Sequence, residues 1–252
     1  MGFHCPEDAK AGKQKVITAQ TLFRAARRPI VTLTLIAVNL AVFALGYVVE
    51  GGKSQLQADG GLIGYFPAAG GAIGVDAGET YRIVTSGFLH ASLIHVGFNM
   101  YLLYLLGQQL EPALGRTRFA VTYFFSLLCG SLAVLLLEPT TLTVGASGAV
   151  FGLMGALAVL HHSQGVRLFD TGLGGLILIN LLFTFAIPGI SVGGHIGGLI
   201  GGALAGWLLI ELPSRSRALP SFIPTAAVVA LGVAVVGASI WAASQWMDPV
   251  FS

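Results

Sequence analysis

The sequence predicts an all-α, polytopic membrane protein: a bundle of six transmembrane helices followed by one more. Two observations carry this. Only 10% of the 252 residues are charged and mean hydropathy is +0.82, whereas a soluble globular domain carries about 25% charged residues. Such a chain has too few polar side chains to face water on all sides, so its main solvent is lipid. The second observation is seven runs without a formal charge, at 30–49, 93–110, 119–137, 142–160, 171–187, 192–210 and 222–243. A helix needs about 20 residues to cross a bilayer, with a range of roughly 17 to 25. None of the runs alternates with the period of a barrel strand, and a crossing segment must satisfy its own backbone, so the runs are read as helices.

The first run follows a polar segment, 1–29, that contains Glu7 and Asp8 and no apolar stretch with a small-residue cleavage site. No removable leader is expected there, and the first run serves as the insertion signal. A long loop, 50–91, precedes the second run. It is rich in glycine but carries Leu62, Ile63, Tyr65 and Phe66, so it is expected to lie partly in the interface. The fifth and sixth runs share an uncharged stretch of 40 residues, 171–210, which Pro188 and Gly189 break as a turn. A linker, 212–221, leads to the seventh run, which has no polar feature in its middle. The expected organisation is a tail (1–29), a six-helix core (30–211) and a C-terminal unit of linker and seventh helix (212–252).

Loop charges set the orientation, because Lys and Arg are retained on the cytoplasmic side. Lys10, Lys13, Lys15, Arg24, Arg27, Arg28, Arg116, Arg118, Arg167, Arg215 and Arg217 fall on one alternating set of loops, and only Lys53 and Arg82 fall on the other. The N-terminus is therefore expected inside and the C-terminus outside. Net charge is +2 and no basic patch is interleaved with aromatics, so no nucleic acid is expected. Cys5 lies in the tail and Cys129 midway along the third run, so no disulfide is expected. Cys5 beside His4 lacks a second ligand pair, and neither a metal nor a cofactor is expected.

Polar residues at membrane depth are costly and are functional candidates. "HASLIHVGFNM" brings His90, His95 and Asn99 to the outer start of the second run, "GASG" brings Ser147 to the outer start of the fourth, and "GGHIGG" brings His195 to the outer start of the sixth. Taken singly, such a serine more often just bonds the carbonyl one turn back or helps helices pack, and such a His or Asn reads equally as interhelical glue. Even-numbered helices all run inward, however, so the loop charges put these groups at one depth. Gly194, Gly198, Gly202 and Gly206 in the sixth run, and Gly148, Gly152 and Ala156 in the fourth, form small-residue stripes at i, i+4. Stripes that face each other bring two backbones close and draw Ser147 towards His195.

A serine beside a histidine is an activated nucleophile, the imidazole taking the hydroxyl proton and returning it to the leaving amine. His95 and Asn99 are i, i+4 on one face and can both donate to an oxyanion, with the amide of Ser147 at a helix N-terminus as a third donor. No acid lies at that depth, so a dyad is expected. Asp76, Glu79 and Glu138 lie in the outer loops and stay open as alternatives.

Together, "HASLIHVGFN", "GASG" and "GGHIGGLIGG", in that order on the second, fourth and sixth runs, resemble the rhomboid family of intramembrane serine proteases over residues 30–210. The resemblance implies a six-helix rhomboid-like core with one C-terminal helix, Ser147 as nucleophile, His195 as base, Asn99 and His95 as oxyanion donors, and a structural His90. Two positions depart from the family pattern: Tyr81-Arg82 stands where a Trp-Arg pair is frequent, and Phe151 where a tyrosine often lies against the histidine. The expected activity is cleavage of single-span transmembrane proteins near the outer face of a membrane, a bacterial plasma membrane being the expected location. A catalytically silent scaffold that binds transmembrane clients is the alternative. A transporter is a third reading, disfavoured by the lack of acids within the runs.

Overall fold

The apolar runs all become helices, and local sequence signals stop them. The structure, a computed structural model, describes residues 28–50, 55–68, 70–215 and 220–245. In chain order the elements are α1 (Ile30–Glu50), α2 (Gln55–Gly60), a hairpin of β1 (Phe66–Ala68) and β2 (Gly71–Ile73), α3 (Arg82–Thr85), α4 (Leu93–Leu114), α5 (Arg116–Leu137), α6 (Ser147–Ser163), α7 (Leu173–Ala186), α8 (Val192–Gly206), α9 (Leu212–Arg215) and α10 (Ile223–Ser244). Ser92 and Ser191 start α4 and α8 by accepting from the amides of His95 and Gly194, which satisfies donors that a helix leaves unpaired at its start. Gly115, with φ of 79°, separates α4 from α5, and Gly189, with φ of 85°, makes the turn expected after Pro188. His4, Cys5, Lys10, Lys13, Lys15, Arg24, Arg27, Lys53 and Arg217 lie outside the described residues.

Four described segments are long and apolar enough to cross a membrane: Ile30–Val48, Arg116–Leu137, Val192–Ser214 and Ile223–Ser244. Helix α4 meets that requirement together with the segment Arg82–Phe88, from which it bends by 93°. Helices α6 and α7 are apolar but have 17 and 14 residues. Helix length alone thus establishes fewer than the seven crossings read from the runs. The sixth run also continues past 210, through a π-helical turn at Trp207–Glu211 and on into α9. The fourth run starts its helix late, at Ser147 and not near 142. There Thr143 pairs with Leu62 (N···O 2.9 and 2.8 Å) and Gly145 takes a φ of 133° that suits only glycine.

Helix α6 is central, with Gly148 through Leu157 all buried. Neighbouring helices enclose this stretch, so its apolar residues face protein. One side of α6 meets α4 and α5 in a cluster built on Leu103, Leu106, Leu110, Phe119, Tyr123, Leu153 and Met154. The other side meets α8 backbone to backbone. A Cβ on Gly198 would collide with the carbonyl oxygen of Gly148, and one on Gly202 with that of Gly152, while one on Gly206 would stand 3.0 Å from Ala156 Cα. The two stripes seen in the sequence do face each other. A second stripe on α8, Gly193, Gly197 and Gly201, lies against Ala133 and Cys129 of α5, so α8 is wedged between two helices with almost no side chains between them.

Polar anchors fix the ends. At the start of α1 the buried carboxylate of Glu111 accepts from the amides of Val31 and Thr32 (2.9 and 2.8 Å) and from the Thr32 hydroxyl (2.7 Å). An anion there complements the positive end of the helix dipole. The loop over 50–91 is organised around Arg82, which is 2% exposed. Its guanidinium donates to the carbonyls of Ala58 (2.7 Å) and Gly61 (2.8 Å) and to Glu79 (2.7 Å), and this last bond holds the Glu79 carboxyl below its ordinary range. Tyr81, in the place of the frequent tryptophan, hydrogen-bonds the Asp59 carbonyl (3.1 Å). Helix α10 buries Val228, Ala242 and Ala243 among residues of α5, the outer loop and α8.

The contact between α6 and α8 yields a test. Gly202→Val puts a side chain into the Gly152 backbone, whereas Gly237→Val on α10 meets nothing within 4 Å. Over-packing of this kind costs about 1–3 kcal/mol or more. In detergent, Gly202→Val is expected to unfold several degrees lower than the unaltered protein by scanning fluorimetry, and Gly237→Val at the same temperature.

Candidate active site

Ser147 is the first residue of α6 and is held there from outside. The preceding loop is stitched to the segment before α4 by Gly145 N–H donating to the Ser86 carbonyl (2.9 Å) and by Ala146 N–H donating to His90 Nε2 (3.5 Å). His90 is 2% exposed and meets the His95 ring edge-on at 4.9 Å. It braces the loop that leads into Ser147.

His195 sits in the first turn of α8, which Glu138 also anchors by accepting from Gly193 N–H (2.9 Å). Its ring stacks on Phe151, one turn along α6 from Ser147, with centroids 4.1 Å apart and planes inclined by 17°. Its Nδ1 is 2.7 Å from the hydroxyl of Thr184 on α7. Ser147, His195, His95 and Asn99 all line one cavity of about 800 Å³, between α4, α6, α7 and α8. Among the described residues no hydrogen bond joins Ser147 Oγ to His195. Such bonds are often long before substrate binds.

On the opposite wall, Ala91 N–H donates to His95 Nδ1 (3.4 Å), which puts the neutral ring's hydrogen on Nε2. That nitrogen borders Gly145, where a Cβ would lie 2.8 Å from it and 3.6 Å from Ser147 Oγ. A ring nitrogen and a hydroxyl oxygen thus flank a spot that only glycine leaves open. The Asn99 amide donates to the His95 carbonyl (3.1 Å), leaving its second amide hydrogen for the cavity. Of the acids left open by the sequence, Glu79 is held by Arg82 and Glu138 by α8. Asn180 and Thr184 also line the cavity and were missed, although, like His95 and Asn99, they are polar residues at i and i+4 inside an apolar run.

A family model described as Rhomboid domain matches residues 77–212, more than half of the chain. The chain belongs to the rhomboid family. It is 32% identical over 172 residues to Rhomboid protease GluP of Bacillus subtilis (strain 168), covering 67% of this chain and 32% of that protein. It is 40% identical over 80 residues to Rhomboid-like protease 3 of Toxoplasma gondii, covering 32% of this chain and 30% of that one. It is also 34% identical over 106 residues to Inactive RHOMBOID-like protein 8 of Arabidopsis thaliana, covering 42% of this chain and 30% of the relative. The chain spans about a third of the length of these relatives. Family membership and the apolar helices make it an integral, multi-pass membrane protein of helical rhomboid fold.

If Phe151 orients His195 by its flat face, Phe151→Tyr keeps that face and Phe151→Ala removes it. Aromatic stacking is worth about 0.5–1.5 kcal/mol, or roughly 2- to 12-fold in rate. Labelling of the serine by a fluorophosphonate probe is expected to slow by that factor in Phe151→Ala and to stay unchanged in Phe151→Tyr.

Proposed function

We propose that this rhomboid protein is an intramembrane serine endopeptidase that cleaves single-span transmembrane proteins near the outer membrane face. The observation that carries this reading is the shared cavity, which Ser147 and His195 line from helices in backbone contact, with His95 and Asn99 on the facing wall. Ser147 Oγ forms a bond to the scissile carbonyl carbon while its proton passes to His195. The resulting oxyanion is received by His95 Nε2–H, the free Asn99 amide hydrogen and Ser147 N–H. His195 then gives its proton to the leaving amine as the C–N bond breaks, and water, activated by the same imidazole, releases the acyl chain. No cofactor takes part.

The organisation proposed with it is a catalytic core over 30–211, with the tail 1–29 cytosolic, the C-terminus outside and the unit 212–252 as an appendage. In support, no residue of α10 lines the cavity. A bacterial plasma membrane is the proposed location. A silent scaffold for transmembrane clients is the second reading, and the resemblance to a relative named inactive keeps it in view. Loss of the serine or histidine would favour it, and both residues are present.

In reconstituted vesicles, a model single-span substrate is expected to be cut by the unaltered protein and not by Ser147→Ala or His195→Ala, each folded by scanning fluorimetry, because nucleophile and base act as a unit. Cleavage by Ser147→Ala overturns Ser147 as the nucleophile, and no cleavage by the unaltered protein favours the scaffold. For orientation, single cysteines replace Thr140 and Gln164, both exposed, in a cysteine-free background. An impermeant maleimide added outside cells is expected to label the first and not the second. The opposite pattern inverts the topology.

A further inference from the structure

Nothing in the dyad itself says which ring nitrogen of His195 holds the hydrogen, yet only a bare Nε2 with the hydrogen on Nδ1 can act as a base towards Ser147 when Nδ1 is turned to α7. Among the described residues no carboxylate meets Nδ1. What meets it is Thr184 Oγ1, at 2.7 Å, on a side chain 2% exposed. The same hydroxyl oxygen lies 2.8 Å from the carbonyl oxygen of Asn180, one turn back. Two oxygens at that distance need a hydrogen between them, and a threonine hydroxyl has only one. With that hydrogen given to Asn180, Oγ1 can only accept from the ring.

We propose that Thr184 is a positioning residue for the reaction: its hydroxyl, committed as donor to the Asn180 carbonyl, accepts Nδ1–H of His195 and so fixes the tautomer whose bare Nε2 serves Ser147. This rests on the dyad reading above. The device does for His195 what a buried acid does in a triad, fixing orientation and tautomer. It does so with a neutral oxygen. A carboxylate at this depth is costly to bury, whereas a hydroxyl already bonded to its own helix adds no charge, and the chain Nδ1–H···Oγ1–H···O=C polarises each bond in turn. Phe151 restrains the plane of the ring, and Thr184 its rotation within that plane.

The test compares Thr184→Val, which keeps shape and loses the acceptor, with Thr184→Ser, which keeps it. The first readout is independent of catalysis: ¹⁵N NMR of histidine-labelled protein in micelles, with the His195 signals assigned by their loss in His195→Gln. The unaltered protein and Thr184→Ser are expected to carry the hydrogen on Nδ1, and Thr184→Val to shift towards Nε2. The second is kinetic. Thr184→Val is expected to lose about 10²-fold in kcat, the scale on which small misplacements act, with KM unchanged, and Thr184→Ser to recover to within a few-fold. A hydrogen on Nε2 in the unaltered protein overturns the proposal and needs no variant to fold. So does a Thr184→Val protein whose tautomer is unchanged while its thermal midpoint and activity both fall, because the bond then only packs helices. If the unaltered protein and Ser147→Ala act alike on substrate, the protease reading fails while the NMR still decides what Thr184 does to His195.

Discussion

Two helix backbones touch, and the candidate site depends on that contact. In water, apolar side chains drive helices together, but in lipid the surroundings are as apolar as the helix, and association relies on close van der Waals approach and interhelical hydrogen bonds. The carbonyls of Gly148 and Gly152 occupy the places where side chains on Gly198 and Gly202 would be. Ser147 stands next to the first of these glycines and His195 three residues before its partner. Separation by one methyl group would move them apart together with the cavity wall. The same glycines leave α6 enclosed, with Gly148 through Leu157 buried among its neighbours.

A second layer works from outside. Arg82 ties Ala58, Gly61 and Glu79 into one unit, and that unit reaches the site through Leu62, which pairs with Thr143, and through Ser86, which holds Gly145. His90 adds the last tie, to Ala146. The start of α6 is thereby fixed by hydrogen bonds from a glycine-rich loop whose interleaved apolar residues already set it apart from a simple linker. Its buried arginine, and not its composition, decides its order. Tyr81 supports it from the exposed side.

Much of this was legible in the sequence, for physical reasons that differ from part to part. Hydropathy reveals helices because the bilayer leaves few other ways to satisfy a backbone, and each run became one. The stripe at Gly194, Gly198, Gly202 and Gly206 was readable because close approach needs glycine at helical spacing. The stripe at Gly193, Gly197 and Gly201, with the same spacing, was passed over, although Cys129 and Ala133 of α5, themselves small and four apart, receive it. The late start of α6 was hidden because it follows from pairing with Leu62, some eighty residues away. Helix ends at Pro188 and Gly189 were legible because turn chemistry is local, whereas the continuation of α8 through the π-helical turn has no local mark. Thr184 was missed because a threonine in an apolar run most often bonds its own helix. It does so here, and its value to His195 lies in the lone pair that remains.

At the site, each functional group is positioned by something other than its partner: Ser147 by the outer loop, His195 by Phe151, Thr184 and the Glu138 anchor, His95 by the Ala91 amide. The hydrolytic account requires that the separately held nucleophile and base meet on one reactant. The most direct measurement is mass spectrometry after reaction with a bifunctional isocoumarin, which a serine opens to an acyl ester and a neighbouring histidine then alkylates. The account predicts a single reagent bridging the peptides that contain Ser147 and His195, and loss of that bridge in Gly202→Val. Attachment to Ser147 alone in the unaltered protein, or to some other serine, would contradict it.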